Sequence, residues 1–328
     1  MRALIVGAGA VGQVYGLHLQ RGGAEVGFFV KERQAAQARG GFTLHAHRKG
    51  GRTETLRLEA PVVVTRAAEL AAAPWDAVWL CVSATALRGP WLDELLAAVP
   101  NATIVSLTPG LEDREYLLQR VPPERLVSGV ITLVSYQAPL PVGSPAVASP
   151  AVALSPGVAF WFPPLSASPF DGPRARVQPI VETLRRGGCP AKQRPRAWEG
   201  AARASAVMMP VLVALEAEDW SFARLRKSPH LRTAAAAARE AMGLVAAHQG
   251  RRAPWLRLLV RPLGLRMLLR LAPRLMPFDF EAYLAYHFTK VGDQTRFLVR
   301  SYVERGRALG CPTAALEALE RLLPQVRP

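Results

Sequence analysis

The chain has 328 residues, 50% hydrophobic and 20% charged, which fits a soluble globular protein of about two domains. Its net charge of +16 invites a nucleic-acid partner, but the basic residues are five lysines against 36 arginines, spread along the chain with no aromatic-interleaved stripe. Nucleic acid is therefore set aside, and an anionic small ligand fits the charge equally well. Three cysteines, Cys81, Cys189 and Cys311, lie too far apart for a disulfide framework or a metal motif. No apolar run approaches the roughly 18 residues of a spanning helix. A first strand starting at Ala3 leaves no room for a signal peptide, so a cytoplasmic location is expected.

In chain order, the apolar residues 3–6 predict a strand, followed by Gly7-Ala8-Gly9-Ala10-Val11-Gly12 and a helical pattern through Leu19. Gly22-Gly23 ends that helix, and residues 25–30 predict a second strand. Residues 43–58 alternate around Lys49-Gly50-Gly51 and predict a hairpin. Residues 77–82, 102–107, 126–136 and 152–162 predict four more strands, the last two separated by a Pro-rich loop at 139–150. Residues 174–186 predict a helix closed by Gly187-Gly188. From about Arg196 Ala-rich helical patterns take over, with breaks near Pro229, Pro254, Pro273 and Pro312. A boundary near residue 190 thus divides an α/β domain, 1–190, from an all-helical domain, 191–328. Residues 251–274 are cationic and apolar together; a packed helical pair with its arginines in solvent is expected, with a membrane-surface segment as the alternative.

The G-x-G-x-x-G at residues 7–12 follows a strand and opens a helix, the context in which the pattern binds a dinucleotide. Gly7 permits the tight turn, Gly9 lets backbone approach a pyrophosphate, and Gly12 allows close helix–strand packing. The helix N-terminus adds N–H donors and partial positive charge. A Rossmann-type doubly wound sheet followed by an all-helical C-terminal domain is the expected fold. After the second strand the chain reads Val30-Lys31-Glu32-Arg33. Lys31 and Arg33 suit a 2′-phosphate and so NADPH, while Glu32 argues for NADH.

These features resemble the ketopantoate reductase (2-dehydropantoate 2-reductase) family, in the wider 6-phosphogluconate-dehydrogenase-like group. The resemblance lies in residues 1–30, 76–82 and 107–111, and continues through Trp198 and the closing Gly310-Cys311-Pro312-Thr313. It implies a Rossmann domain, a helical second domain, NADPH, and a substrate cleft between the two. It also exposes departures. Ser83 stands where the family carries a lysine, Pro109 before Gly110 where it has asparagine, and Gly200 where its catalytic lysine would fall. Ala204 or Ser205 replaces a further asparagine, and Asp293-Gln294-Thr295-Arg296 replaces Thr-Glu-Ile-Asp. Losing these together argues against ketopantoate itself as the substrate.

Reducing a carbonyl or imine needs a proton donor within hydrogen-bond reach. Residues 280–309 predict one long helix with Tyr283, His287, Lys290 and Gln294 on one face beside an apolar stripe. Lys290 is the expected proton donor or substrate anchor, because a buried amine can lose its proton and a guanidinium cannot. His287 is second. Gln294, Tyr283, Asp293 and Ser135 are expected at the substrate; Ser83 and Thr108, at strand ends, join the cofactor residues. No metal spacing and no G-x-S-x-G are present. An NADPH-dependent reductase of a ketone or imine small molecule is expected, and a homodimer is compatible with it. The alternatives are a cofactor-binding protein without hydride transfer and a non-redox enzyme reusing the cleft.

Overall fold

The computed structural model describes residues 1–72, 74–108, 110–140, 154–252 and 255–323. It forms two compact units. One is Met1–Pro139 with Val152–Trp198, the other Leu140–Ala151 with Glu199–Pro328.

The first unit opens with β1 (Arg2–Val6), α1 (Ala10–Arg21), β2 (Glu25–Phe29), α2 (Glu32–Arg39), β3 (Phe42–His47), β4 (Thr53–Leu58), β5 (Val62–Val64) and α3 (Ala67–Leu70). Next come β6 (Ala77–Leu80), α4 (Ala84–Leu87), α5 (Trp91–Ala98), β7 (Thr103–Ser106), α6 (Leu111–Leu118) and β8 (Leu126–Gly129). It closes with β9 (Val134–Ala138), β10 (Gly157–Trp161), β11 (Ser168–Asp171), α7 (Arg174–Arg186) and β12 (Ala191–Gln193). Eight strands form one sheet in the order β12-β11-β8-β7-β6-β1-β2-β5. Every pairing in it is parallel except β11 with β8. Its strands are short apolar runs because both faces are covered. Along β1, Ala3 and Ile5 enter one core with α1 and α7, while Leu4 and Val6 enter the other with Leu92, Leu95 and Leu117.

A second sheet, β4-β3-β10-β9, lies against α1, whose Val14, Leu17 and Leu19 share a core with Leu44, Leu58, Val158 and Phe160. The hairpin expected at 43–58 is its β3–β4 pair, turning through Lys49–Gly51. The single strand expected at 126–136 is two strands in different sheets. β8 ends at Gly129, where a Cβ would stand 2.6 Å from the Phe170 ring, and the chain leaves the large sheet before β9 joins the small one. A continuous apolar run carries no mark of that transfer. In the 152–162 run the strand is β10 alone, and residues 141–153 of the Pro-rich stretch lie outside the described residues.

The second unit is helical: α8 (Ala197–Glu216, whose first two residues belong to the first unit), α9 (Phe222–Leu225), α10 (His230–His248), α11 (Pro262–Leu275), α12 (Phe280–Lys290), α13 (Gly292–Ala308) and α14 (Ala314–Glu320). Helix α10 is its axis, burying Ala234, Ala237, Ala238 and Ala241 with Leu244 and Val245. Small side chains let neighbouring helices approach closely. The Glu240 carboxylate accepts from the Ala315 and Leu316 N–H groups at 3.0 Å, capping α14. Pro229 precedes α10 and Pro312 precedes α14 as expected, whereas α11 runs two residues past Pro273. Pro254 lies outside the described residues. Among the described residues no helix is long and apolar enough to cross a membrane.

His18 of α1 is 2% exposed, donates from Nδ1 to the Gly187 carbonyl at 2.7 Å, and leaves Nε2 without a partner. Burial pushes its pKa down to about 4. Between that value and about 6.5 the unfolded imidazole takes up a proton that the folded one refuses. Its contribution is therefore present above pH 6.5 and is lost as pH falls toward 4, by up to about 3 kcal/mol. Urea midpoints should drop over that window, and His18→Gln, which keeps the N–H donor but cannot titrate, should flatten the drop. Identical pH dependence in the two proteins would exclude His18 as its source.

Candidate functional site

Strands β7, β6, β1 and β2 are adjacent and parallel, and each feeds a helix (α6, α4, α1, α2) whose N-terminus stands at the same edge of the sheet. Chain order reverses beside β1, with β2 on one side and β6 on the other. Open α/β sheets bind ligands at such a switch point, outside the carboxyl ends of the strands. Along this edge the topology sets Thr108, Ser83, the 7–12 loop and Lys31 with Arg33 in spatial order, over about 14 Å at roughly 4.8 Å per strand.

The three glycines of the loop differ in what surrounds them. Gly7 has φ +92°, and a Cβ there would stand 2.9 Å from the Cys81 carbonyl. A Cβ on Gly12 would overlap the Gly7 carbonyl and lie 2.9 Å from Ile5 Cγ2. Gly9 is extended, and a Cβ there would meet no protein atom within 4 Å. Gly7 and Gly12 thus hold the turn against β1, while Gly9 leaves open space in front of the helix. Ala10, Val11 and Gly12 form the first turn of α1, where N–H groups lack intrahelical acceptors and no acidic side chain competes for them. Buried Gln13, missed from the sequence, donates its amide to the Ala8 carbonyl at 2.8 Å and braces the loop.

At the next strand, Lys31 is the N-cap residue of α2, and Lys31 and Arg33 are both exposed. Neither pairs with a carboxylate among the described residues. Glu32 lies between them in the first helical turn. Ser83 is the N-cap of α4, accepting from the Ala86 N–H at 3.2 Å and sharing a hydrogen bond with Thr85 at 3.0 Å. Thr108 shares one with Ser106 at 3.0 Å. Ser135 is not at this edge: it is buried on β9 opposite Phe160, in the small sheet.

Two arginines here were not singled out from the sequence. Arg88 bonds the fully buried Asp113 at 2.7 Å and the Ala84 carbonyl at 2.6 Å, tying α4 to α6. Asp113 also accepts from the Gly110 N–H at 3.2 Å, so a Gly-x-x-Asp capping pattern was available as a signal. Arg114 lies with its guanidinium 4.7 Å from the Trp198 ring centre, and its buried Nε has no hydrogen-bond partner. Burial lowers its pKa. The two residues are remote in sequence, so only the fold could reveal the contact.

In the second unit the helix expected over 280–309 breaks at Val291, which leaves helical geometry at φ −114°, ψ 28°. Tyr283, His287 and Lys290 share a face of α12; Gln294 and Asp293 belong to the start of α13. At the break the β-branched Val291 precedes Gly292, whose buried position faces Arg296. Tyr283 stacks on His287 at 5.5 Å and on Phe280 at 6.1 Å. Burial raises the Tyr283 pKa to about 12 and, with the nearby Lys290 charge, lowers that of His287 to about 4. The imidazole is therefore neutral at pH 7. Lys290 is exposed, so the burial that motivated its choice is not found. At Gly200 of α8 a Cβ would meet nothing within 4 Å, and Ser205 is buried, accepting from the Tyr302 hydroxyl at 3.0 Å. The cysteines are free thiols, and the described residues contain no metal-ligand cluster.

The class these features define is a Rossmann-type α/β unit joined to a helical unit. Residues 3–140 match the family "Ketopantoate reductase PanE/ApbA", so the family resemblance of the N-terminal region holds. The fold extends further. A PanE/ApbA family ketopantoate reductase from Ralstonia eutropha JMP134 superposes with a TM-score of 0.74 at 18% identity, covering 98% of this chain and 97% of that one. A 2-dehydropantoate 2-reductase from Geobacter metallireducens GS-15 gives 0.68 at 20% identity over 100% of both chains. D-mandelate dehydrogenase, solved with NADH and anilino(oxo)acetate, gives 0.71 at 16% identity over 98% and 96%. No curated protein matches the chain in sequence.

The glycine geometry makes a sharp prediction. Gly12→Ala should lower stability by about 1–3 kcal/mol through overpacking against backbone. Gly9→Ala should cost less than about 1 kcal/mol, the loss of a favourable N-cap residue. Urea unfolding of the two variants measures this; equal losses would contradict the roles assigned to the two positions.

Proposed function

We propose that the protein is an NADPH-dependent reductase of a ketone or imine other than ketopantoate. In this reading residues 1–190 hold the cofactor and 191–328 supply substrate contacts. The observation that carries it is the open space at Gly9, in front of the unpaired N–H groups of α1, at the switch point of the sheet. Residues 7–12 fit the pyrophosphate, with Ser83 and Thr108 toward the nicotinamide half. Lys31 and Arg33, charged and unpaired among the described residues, face a 2′-phosphate. A nicotinamide cofactor supplies hydride when bound. The chain's part is to orient the acceptor and protonate it: Lys290 donates, the neutral His287 orders Tyr283 beside it, and Gln294 and Asp293 contact the substrate.

Fluorescence titration with NADPH and NADH tests the cofactor assignment. NADPH should bind more tightly, and Gly9→Ala should weaken it at least tenfold while leaving the fold intact. Lys31→Ala with Arg33→Ala should weaken NADPH by about 10–100-fold and NADH by less than about threefold, the range for lost charge-assisted hydrogen bonds. Failure to bind either dinucleotide would sink the proposal.

A second reading, cofactor binding without hydride transfer, draws on Gly200, whose position offers no amine where the family resemblance expects one, and on Ser83, already engaged as a helix cap. A screen of carbonyl and imine acceptors for NADPH oxidation separates the two. Lys290→Ala should lower kcat by at least about a hundredfold for any acceptor found, as for loss of a general acid. An unchanged rate would remove Lys290 from the reaction.

A further inference from the structure

A surface helix normally buries its apolar stripe and shows its charges. Helix α11 does this on one face only. Leu265 and Leu269 are buried against the unit, and the preceding turn is held where Arg239 donates to the Val260 carbonyl at 2.7 Å. On the opposite face Leu263, Met267, Leu271 and Leu275 form an i, i+4 row about 18 Å long, with Leu268 beside it. All five are exposed, Leu263 by 68% and Leu275 by 70%, and Trp255 on the turn before the helix by 70%.

Arg266, Arg270 and Arg274 form a second i, i+4 row along the flank of this stripe, and all three are exposed. Residues 251–278 hold seven arginines and no carboxylate. Among the described residues none of these three arginines pairs with one; Arg266 donates to the Arg226 carbonyl at 3.0 Å and Arg274 to that of Arg270 at 2.5 Å. An apolar row beside a cationic row calls for a partner that is apolar within and anionic at its surface. A second copy of the chain would cover the leucines but set arginine row against arginine row with no carboxylate between them. Anionic lipid supplies both requirements.

We propose that α11 with Trp255 is a membrane-docking surface that lies in the plane of an anionic bilayer, the leucine row among the acyl chains and the arginine row on the headgroups. The packed helical pair expected from the sequence describes only the inner face.

Flotation with phosphatidylcholine vesicles, with and without phosphatidylglycerol, tests this. The full-length protein should float only with the anionic vesicles and be released by high salt. Leu263→Asn with Leu271→Asn, and separately Arg270→Glu with Arg274→Glu, should each lower partition by about tenfold or more. Both pairs are exposed, so circular dichroism melts should match the parent. Three results would overturn the proposal. One is no flotation on anionic vesicles. Another is either variant floating like the parent; full retention by the leucine variant would mark a general polyanion surface. The third is a stable dimer in sedimentation that does not float and that Leu263→Asn with Leu271→Asn dissociates, which would make a second copy the occupant.

Discussion

Helix α1 can begin where it does because Gly12 carries no side chain over the Gly7 carbonyl. That single close approach of helix to strand seats α1 against β1, and much of the first unit is built on α1. One side of the helix meets the large sheet through Val14 and Tyr15, the latter 5.1 Å from Trp79. Another carries the small sheet, with His18 between Phe160 and Phe162. His18 also fastens α7 through the Gly187 carbonyl. A side chain at residue 12 would disturb the loop, the sheet contact and the packing of α7 together, since tightly packed interiors transmit strain.

The same constraint explains why the polar groups of the switch-point edge divide their tasks. Buried Gln13 and Asp113 spend their hydrogen-bonding capacity on the loop and a helix end, as groups in a dry setting must, and the half-buried Ser83 caps α4. Lys31, Arg33 and the Arg114 edge are not spent in this way.

In the second unit, the alanines of α10 allow close helical packing, and the leucines of α11 do the reverse, standing away from the unit beside arginines. A pattern of leucines four apart signals a buried stripe only if something lies on that side. With Leu265 and Leu269 already filling the contact, the second row has no interior left to enter.

Local chemistry was enough to read the first strand, the glycine loop, α1, the 43–58 hairpin and α7. Each rests on a period of apolar residues or on a glycine whose steric need is local. The alternation of a parallel sheet with helices was legible for the same reason, whereas the departures at Ser83 and Gly200 came from the family resemblance alone. Tertiary structure decided the rest. It split 126–136 between two sheets and carried Ser135 away from the edge, because an apolar run looks the same in either sheet. It broke the 280–309 helix at Val291 and left Lys290 exposed, because periodicity continues through a kink. It brought Arg114 to Trp198, a pairing across the chain that no local rule contains. It also turned the leucine row of α11 outward, because burial depends on where neighbouring helices stand and residue type alone does not carry that information.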